Sequence, residues 1–257
     1  MNFVQGGSCS NGTNFTNLNP LGFTTCNNIS TTNLQPTTQI TTKTTARPIS
    51  LSCPPAAFIS PCTCTVSSIY KTSRLNCNNQ RLNDTQLSNI LNAFLAQGVP
   101  PLVEINACCN QLTQIPVQIS SAQFPSLVTL ILYSNQITSI PTGAFTSSPP
   151  ASIGIDLHKN KLTAIPSGAF NLPNATSVQI SLSSNQITSI PSGIFSFPNS
   201  TSIFINFYSN RIASVPSGIF NYPLASQIFI ALANNQITML QPGTFQGEFI
   251  LIRMKFQ

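Results

Sequence analysis

The sequence predicts an α/β-type solenoid: a coiled chain with a parallel β-sheet along one side, few helices and a cysteine-rich N-terminal cap. Three observations carry this. Asparagines recur every 25 residues at Asn110, Asn135, Asn160, Asn185, Asn210 and Asn235, without insertion or deletion. Ahead of each, at minus seven, five and three, stand apolar triads: Val103/Ile105/Ala107, Val128/Leu130/Leu132, Ile153/Ile155/Leu157, Val178/Ile180/Leu182, Ile203/Ile205/Phe207 and Ile228/Ile230/Leu232. Behind them a phrase repeats with proline, glycine and phenylalanine at fixed offsets, as in Pro166, Gly168 and Phe170. A constant period in this range builds a stack in which each unit buries its apolar side against its neighbours, with no central core to close.

In chain order, residues 1–27 hold Cys9 and Cys26 among Gly, Asn and Thr, which fits a small disulfide loop. Residues 28–52 are dominated by Thr, Ser, Asn and Gln, too polar to fold alone, and read as an extended linker. A cap follows over 53–102. Its Leu75–Leu82 stretch has the strand pattern of a repeat, with Gln80 in the asparagine position. Asp84–Gln97 is the best helix: Leu87, Ile90, Leu91, Phe94 and Leu95 form one stripe, Asn83 or Asp84 can cap the start, and Gly98 and Pro100 end it.

Repeats occupy 103–247. Period-two alternation makes each triad the inward side of a strand, and the strands stack in parallel through right-handed connections. The asparagine amide can satisfy backbone groups where the chain turns off the strand. Pro and Gly shape the return, Phe fills the back of the core, and segments such as Asn171–Thr176 read as extended or single-turn. Residues 248–257 read as one more partial strand. Its uncovered apolar edge predicts that the chain continues or that a partner covers it.

Charge is scarce. Ten Lys+Arg against 4 Asp+Glu give a net charge of +6, but the basic residues form no dense run, which argues against nucleic-acid binding. No stretch has the ~18 apolar residues of a membrane span. The 8 cysteines, grouped before or within the first repeat, suit an oxidising compartment, and with His158 as the single histidine no metal site or cofactor is expected. Secretion would require a leader that the first residues do not resemble, so the chain is expected to be incomplete at its start.

The phrase Leu132-Tyr-Ser-Asn135-Gln-Ile-Thr-Ser-Ile-Pro-Thr-Gly-Ala-Phe145 resembles the leucine-rich repeat of secreted animal proteins. The resemblance covers roughly residues 53 to 250 and implies a right-handed superhelix with the sheet on its concave side. One departure is that the leucine usual at minus eight, as at Leu127, is replaced by Ser152, Ser177, Ser202 and Gln227. The cysteine spacing from Cys53 to Cys77 resembles the N-terminal cap of that family, which implies Cys53–Cys64 and Cys62–Cys77 disulfides. Cys108 and Cys109 are left to a vicinal bond, to the Cys9/Cys26 loop or to another chain. More narrowly, the cap and its helix are similar to arthropod secreted proteins known as the non-catalytic subunit of oplophorus-type luciferin monooxygenase. That similarity implies an associated chain without catalytic activity.

Binding by such stacks usually uses the outward strand residues and the loop after them. The candidates here are Tyr133, Asp156, His158, Lys159, Phe204, Tyr208, Arg211 and Phe229, with aromatics gathered late in the chain. Asp156, His158 and Ser183 also bring a hydrolase triad within reach, but an open sheet face supplies neither an oxyanion hole nor a closed pocket. Asn83, Asn174 and Asn199 stand in glycosylation sequons. The expected function is a secreted protein-binding scaffold, such as a non-catalytic subunit binding a protein ligand or a catalytic subunit; a glycan or pathogen-pattern receptor is the alternative.

Overall fold

The computed structural model describes residues 3–4, 24–25, 52–97, 99–120, 123–145, 151–246 and 250–253. The chain divides into two compact units, Met1–Ala46 and Arg47–Gln257. In the first, β1 (Phe3–Val4) pairs antiparallel with β2 (Thr24–Thr25). The expected Cys9–Cys26 bridge and the linker up to Leu51 lie outside the described residues.

The second unit opens with α1 (Ala56–Ile59) and an antiparallel hairpin of β3 (Thr63–Ser67) and β4 (Thr72–Asn76). Disulfides join Cys53 to Cys64 and Cys62 to Cys77, with Cys77 fully buried. The pairs are those the family resemblance implies. Cys108 and Cys109 are both free thiols.

Helix α2 (Asp84–Gln97) forms over the expected span and buries Leu87, Ile90, Leu91 and Phe94. Leu95 departs from the expected stripe: it is 41% exposed, at the margin of the helix's apolar face. Asn83 is the residue that caps. The Gln86 N–H donates to Asn83 Oδ1 and the Asn83 N–H donates to Gln86 Oε1, a reciprocal capping box. Asp84 instead accepts from the Thr113 and Gln114 N–H groups, tying the helix to the next coil.

The main sheet is built from β5 (Leu102–Asn106), β6 (Thr129–Ile131), β7 (Ser152–Asp156), β9 (Ser177–Ser181), β11 (Ser202–Asn206), β13 (Gln227–Ala231) and β15 (Ile250–Arg253), added to β4 and β3. The order is β15-β13-β11-β9-β7-β6-β5-β4-β3. Every pairing from β4 onward is parallel. Ser152, Ser177, Ser202 and Gln227 stand side by side, so each coil of the chain advances by one strand every 25 residues.

The triads pack inward as the alternation requires, and Ile105, Val178, Ile180, Leu182, Ile205 and Phe207 are inaccessible or nearly so. Two positions are corrected. Leu102 takes the buried place expected of Val103, because the β4–β5 register shifts between Ser73 and Arg74, and in the next coil Leu127 rather than Val128 packs against the core.

On the opposite side of the core, α3 (Val117–Ser120) is a single turn. Later coils carry only two-residue strands: β8 (Phe170–Asn171) pairs with β10 (Phe195–Ser196), and β12 (Phe220–Asn221) with β14 (Phe245–Gln246). Phenylalanines run through these strands as a column. Ring centroids are 5.2 Å apart for Phe145–Phe170, 5.7 Å for Phe170–Phe195, 6.4 Å for Phe195–Phe220 and 5.4 Å for Phe220–Phe245. The expectation of extended rather than helical returns holds.

Each anchor asparagine staples adjacent coils. Asn185 Oδ1 accepts the Leu162 N–H at 3.0 Å, while Nδ2 donates to the carbonyls of Leu157, Leu182 and Ser183. Asn135, Asn160, Asn210 and Asn235 make equivalent bonds to the coil before. All are buried. Left unpaired, each such backbone group would cost about 1–3 kcal/mol.

Gln80, expected to play this part in the cap, does not. Its side chain is exposed and donates to the Asn78 carbonyl, one methylene too long for the niche. Asn110 serves the cap from the next coil, accepting from the N–H groups of Gln80 and Leu82.

The residue before each anchor is left-handed, from Cys109 (φ 59) and Ser134 (φ 52) to Asn234 (φ 56). The turn off each strand therefore holds a conformation that L-residues rarely choose.

The last partial strand is present as β15, with Ile250 beside Ile228. Phe245 remains beside Phe220, while the return from Phe229 to Leu251 takes 22 residues rather than 25.

Candidate functional site

The strand residues that do not enter the core form an outer face. Reading across β5, β6, β7, β9, β11 and β13, one row is Glu104, Thr129, Gly154, Gln179, Phe204, Phe229 and the next is Asn106, Ile131, Asp156, Ser181, Asn206, Ala231. The third, where the strands end, is Cys108, Tyr133, His158, Ser183, Tyr208, Ala233. Carbonyls of Tyr133, His158, Ser183, Tyr208 and Ala233 accept in turn from the N–H groups of Cys109, Ser134, Lys159, Ser184 and Ser209 in the coil before, which keeps this row aligned.

Two groups of predicted residues meet on this face. His158 Nδ1 lies 2.6 Å from Asp156 Oδ1, which also accepts the His158 N–H at 3.1 Å. The imidazole stacks on Tyr133, with centroids 4.5 Å apart and planes 16° from parallel. The neighbouring Cys108 thiol pushes the Tyr133 phenol up to about 12. Burial pushes the Cys108 thiol up as well. Cys108, Tyr133 and His158 thus form a continuous strip at the ends of β5, β6 and β7.

The second group is Phe204 and Phe229, stacked at 4.8 Å and 3°. Tyr208 does not join it. It stands beyond the other end of β11, 44% exposed, with its hydroxyl accepting from Asn234 Nδ2 at 2.7 Å. Lys159 and Arg211 are exposed on the loops that leave the strands. Lys161 Nζ donates to Gln136 Oε1 in the coil before.

Ser183 sits between His158 and Tyr208 in the third row and is 9% exposed. Its hydroxyl is 3.5 Å from that of Ser181. The Asp156–His158 half of the hydrolase arrangement is therefore assembled, while the side-chain contact of Ser183 is to another serine.

Some partners escaped the sequence reading although the period could have found them. Cys108 lies one period before Tyr133, and Asn234 is one period plus one residue beyond Tyr208. Gly154 has no such signal: it is an outer-face position without a side chain, in the middle of β7.

Away from the face, Phe94, Leu95, Val99, Pro100, Leu102 and Phe124 help to line an apolar cavity of about 250 Å³ beside the end of α2. Asn83, Asn174 and Asn199 are exposed. Asn199 Nδ2 donates to the Pro173 carbonyl one coil earlier. Among the described residues no three metal-ligating side chains cluster, and no helix is long and apolar enough to cross a membrane.

No family model matches the chain, and no curated protein matches it.

Proposed function

We propose that the protein is a secreted leucine-rich-repeat scaffold that binds another protein through the concave side of its sheet, as a non-catalytic subunit of an extracellular complex. The observation that carries this reading is the contrast between the two sides of the same strands. Inward positions repeat the same few apolar types, whereas the outer face exposes unlike groups, with two aromatic stacks standing on it. Rigid aromatic side chains on an exposed face are the usual anchors of protein interfaces.

The disulfide-bonded cap supports an oxidising compartment. Glycans at Asn83, Asn174 or Asn199 would leave the outer face clear, because none of the three lies on a strand of the main sheet. A binding role is favoured over hydrolysis because the backbone N–H groups beside His158 and Ser183 already donate along the sheet, as from Lys159 to Ser183 and from Ser184 to Tyr208. Those two donors are therefore not available to an oxyanion.

The test is retention of a partner from native extracellular fluid on immobilised protein, beside the Phe204→Ala/Tyr208→Ala variant and beads carrying glycans. A stoichiometric protein held by the wild type and lost by the variant is expected. Equal capture by both, or retention of the scaffold on glycan beads alone, would overturn the reading.

A further inference from the structure

Charge on the outer face runs against the charge of the chain. The protein carries +6, yet the six main-sheet strands from β5 to β13 place Glu104 and Asp156 on this face and no lysine or arginine. Glu104 already has a cation, Arg74 Nε at 3.6 Å from its carboxylate. Asp156 has neither lysine nor arginine beside it: its contacts run through Oδ1 to His158, which leaves Oδ2 as an open acceptor among the described residues.

Beside Asp156 the face is hollow. A Cβ built on Gly154 would meet only the Val128 carbonyl oxygen, at 4.0 Å. Thr129 and Gln179 flank the hollow on the adjacent strands, and Phe204 stands one strand beyond Gln179. A hydroxyl, an amide and a carboxylate thus surround a floor of bare backbone, with the Phe204 ring two strands away. Adjacent strands lie about 4.8 Å apart, so a flat group entering at Gly154 reaches Asp156, Gln179 and Thr129 together.

The cations of the region lie elsewhere. Lys159 lies beyond the end of β7, in the turn off the strand, and Lys161 and Arg211 are on the loops, so none of the three stands on the face beside the hollow. Arg253 falls opposite Ala231 on β15, four strands from β7.

We propose that the hollow at Gly154 is a subsite for a guanidinium group, an arginine side chain of the bound protein, with Asp156 as its counter-charge. Arginine fits better than lysine because its planar fork satisfies several acceptors at once. The assignment rests on the protein-binding reading above and names one chemical feature of the partner.

The experiment uses the intact protein and needs no partner. His158 is the single histidine, so its imidazole Cε1 proton gives one NMR signal, next to Asp156, without assignment. The protein is titrated at fixed pH with N-acetyl-arginine amide and with N-acetyl-citrulline amide, the neutral isostere. A saturable shift is expected with arginine, and a Kd at least fivefold weaker with citrulline. Asp156→Asn should weaken arginine at least fivefold. Gly154→Val should do the same by filling the hollow; Gly154→Ala, which meets no close atom, is the substitute if the valine variant does not fold.

No saturable response to arginine, equal response to citrulline, or full affinity in Asp156→Asn would each overturn the proposal. Partner capture kept in Asp156→Asn without any arginine response would overturn this subsite alone. Absence of any captured partner on the wild type, with its arginine response intact, would overturn the protein-binding reading instead.

Discussion

Between β4 and β5 the chain takes 30 residues to come back to the sheet, from Arg74 to Glu104, whereas each return from β5 to β13 takes 25. The longer return folds as α2, held by a capping box and by Asp84; of the shorter ones, the first folds as the single turn α3, and those after β7 cover the core with a stacked phenylalanine and a two-residue strand. Both solutions deliver the next strand into the same parallel register. The back of the core is thus interchangeable, and the asparagine staple is the element that both regions share, since Asn110 bridges the helical coil as Asn185 bridges a helix-free one.

The sharpest way to break that comparison is to remove one staple. Asn185→Ala leaves the Leu162 N–H and the carbonyls of Leu157, Leu182 and Ser183 without their partner, and should cost about 3–5 kcal/mol in a denaturant titration. Asn185→Gln should fare little better, as Gln80 already turns away from the equivalent niche. A loss below ~1 kcal/mol would mean that the phenylalanine column alone sets the register.

Asp84→Ala attacks the helical return only. Losing its bonds to Thr113 and Gln114 should cost about 1–2 kcal/mol, with faster amide exchange in α2 but not in β9 to β13. Gly168→Ala probes a short return. The glycine has φ +69 and a methyl group would touch nothing within 4 Å, so the expected loss of about 1–2 kcal/mol is conformational alone.

Tyr222→Phe is the gentlest test. The buried hydroxyl has no hydrogen-bond partner among the described residues, so at pH 7 the variant should match the wild type within about 1 kcal/mol. Burial raises the Tyr222 phenol above its ordinary 10.0, so the folded protein holds this proton more tightly than the unfolded chain. Its contribution is complete below pH 10 and is lost as the pH rises beyond that; the Tyr222→Phe variant should lack this part of the alkaline decline.

The repeat's architecture was legible because it depends on spacing. A period of 25 fixes which residues lie side by side, so Ile180, Asn185 and Phe195 could be placed from sequence alone. What spacing does not encode is local geometry. The register shift opposite Ser73 exchanges Val103 for Leu102, and the limited surface against which α2 packs leaves Leu95 at its margin.

The outer face was legible as a set of positions but not as contacts. Phe204 and Phe229 were expected together with Tyr208, yet strand geometry separates minus six from minus two, and Tyr208 turns to Asn234. The hollow at Gly154 shows only once its neighbours are in place, because a missing side chain has meaning only against the groups around it.

The central claim is that stability is carried by the inward letters and binding by the outward ones. It is tested most directly by measuring the unfolding midpoint and partner retention together on Phe204→Ala/Tyr208→Ala. The account predicts a loss of about 2 kcal/mol, one aromatic stack plus part of the buried area of two half-exposed side chains, with retention of the partner abolished. Retention unchanged in a folded variant, or a collapse of stability comparable to that of Asn185→Ala, would contradict it.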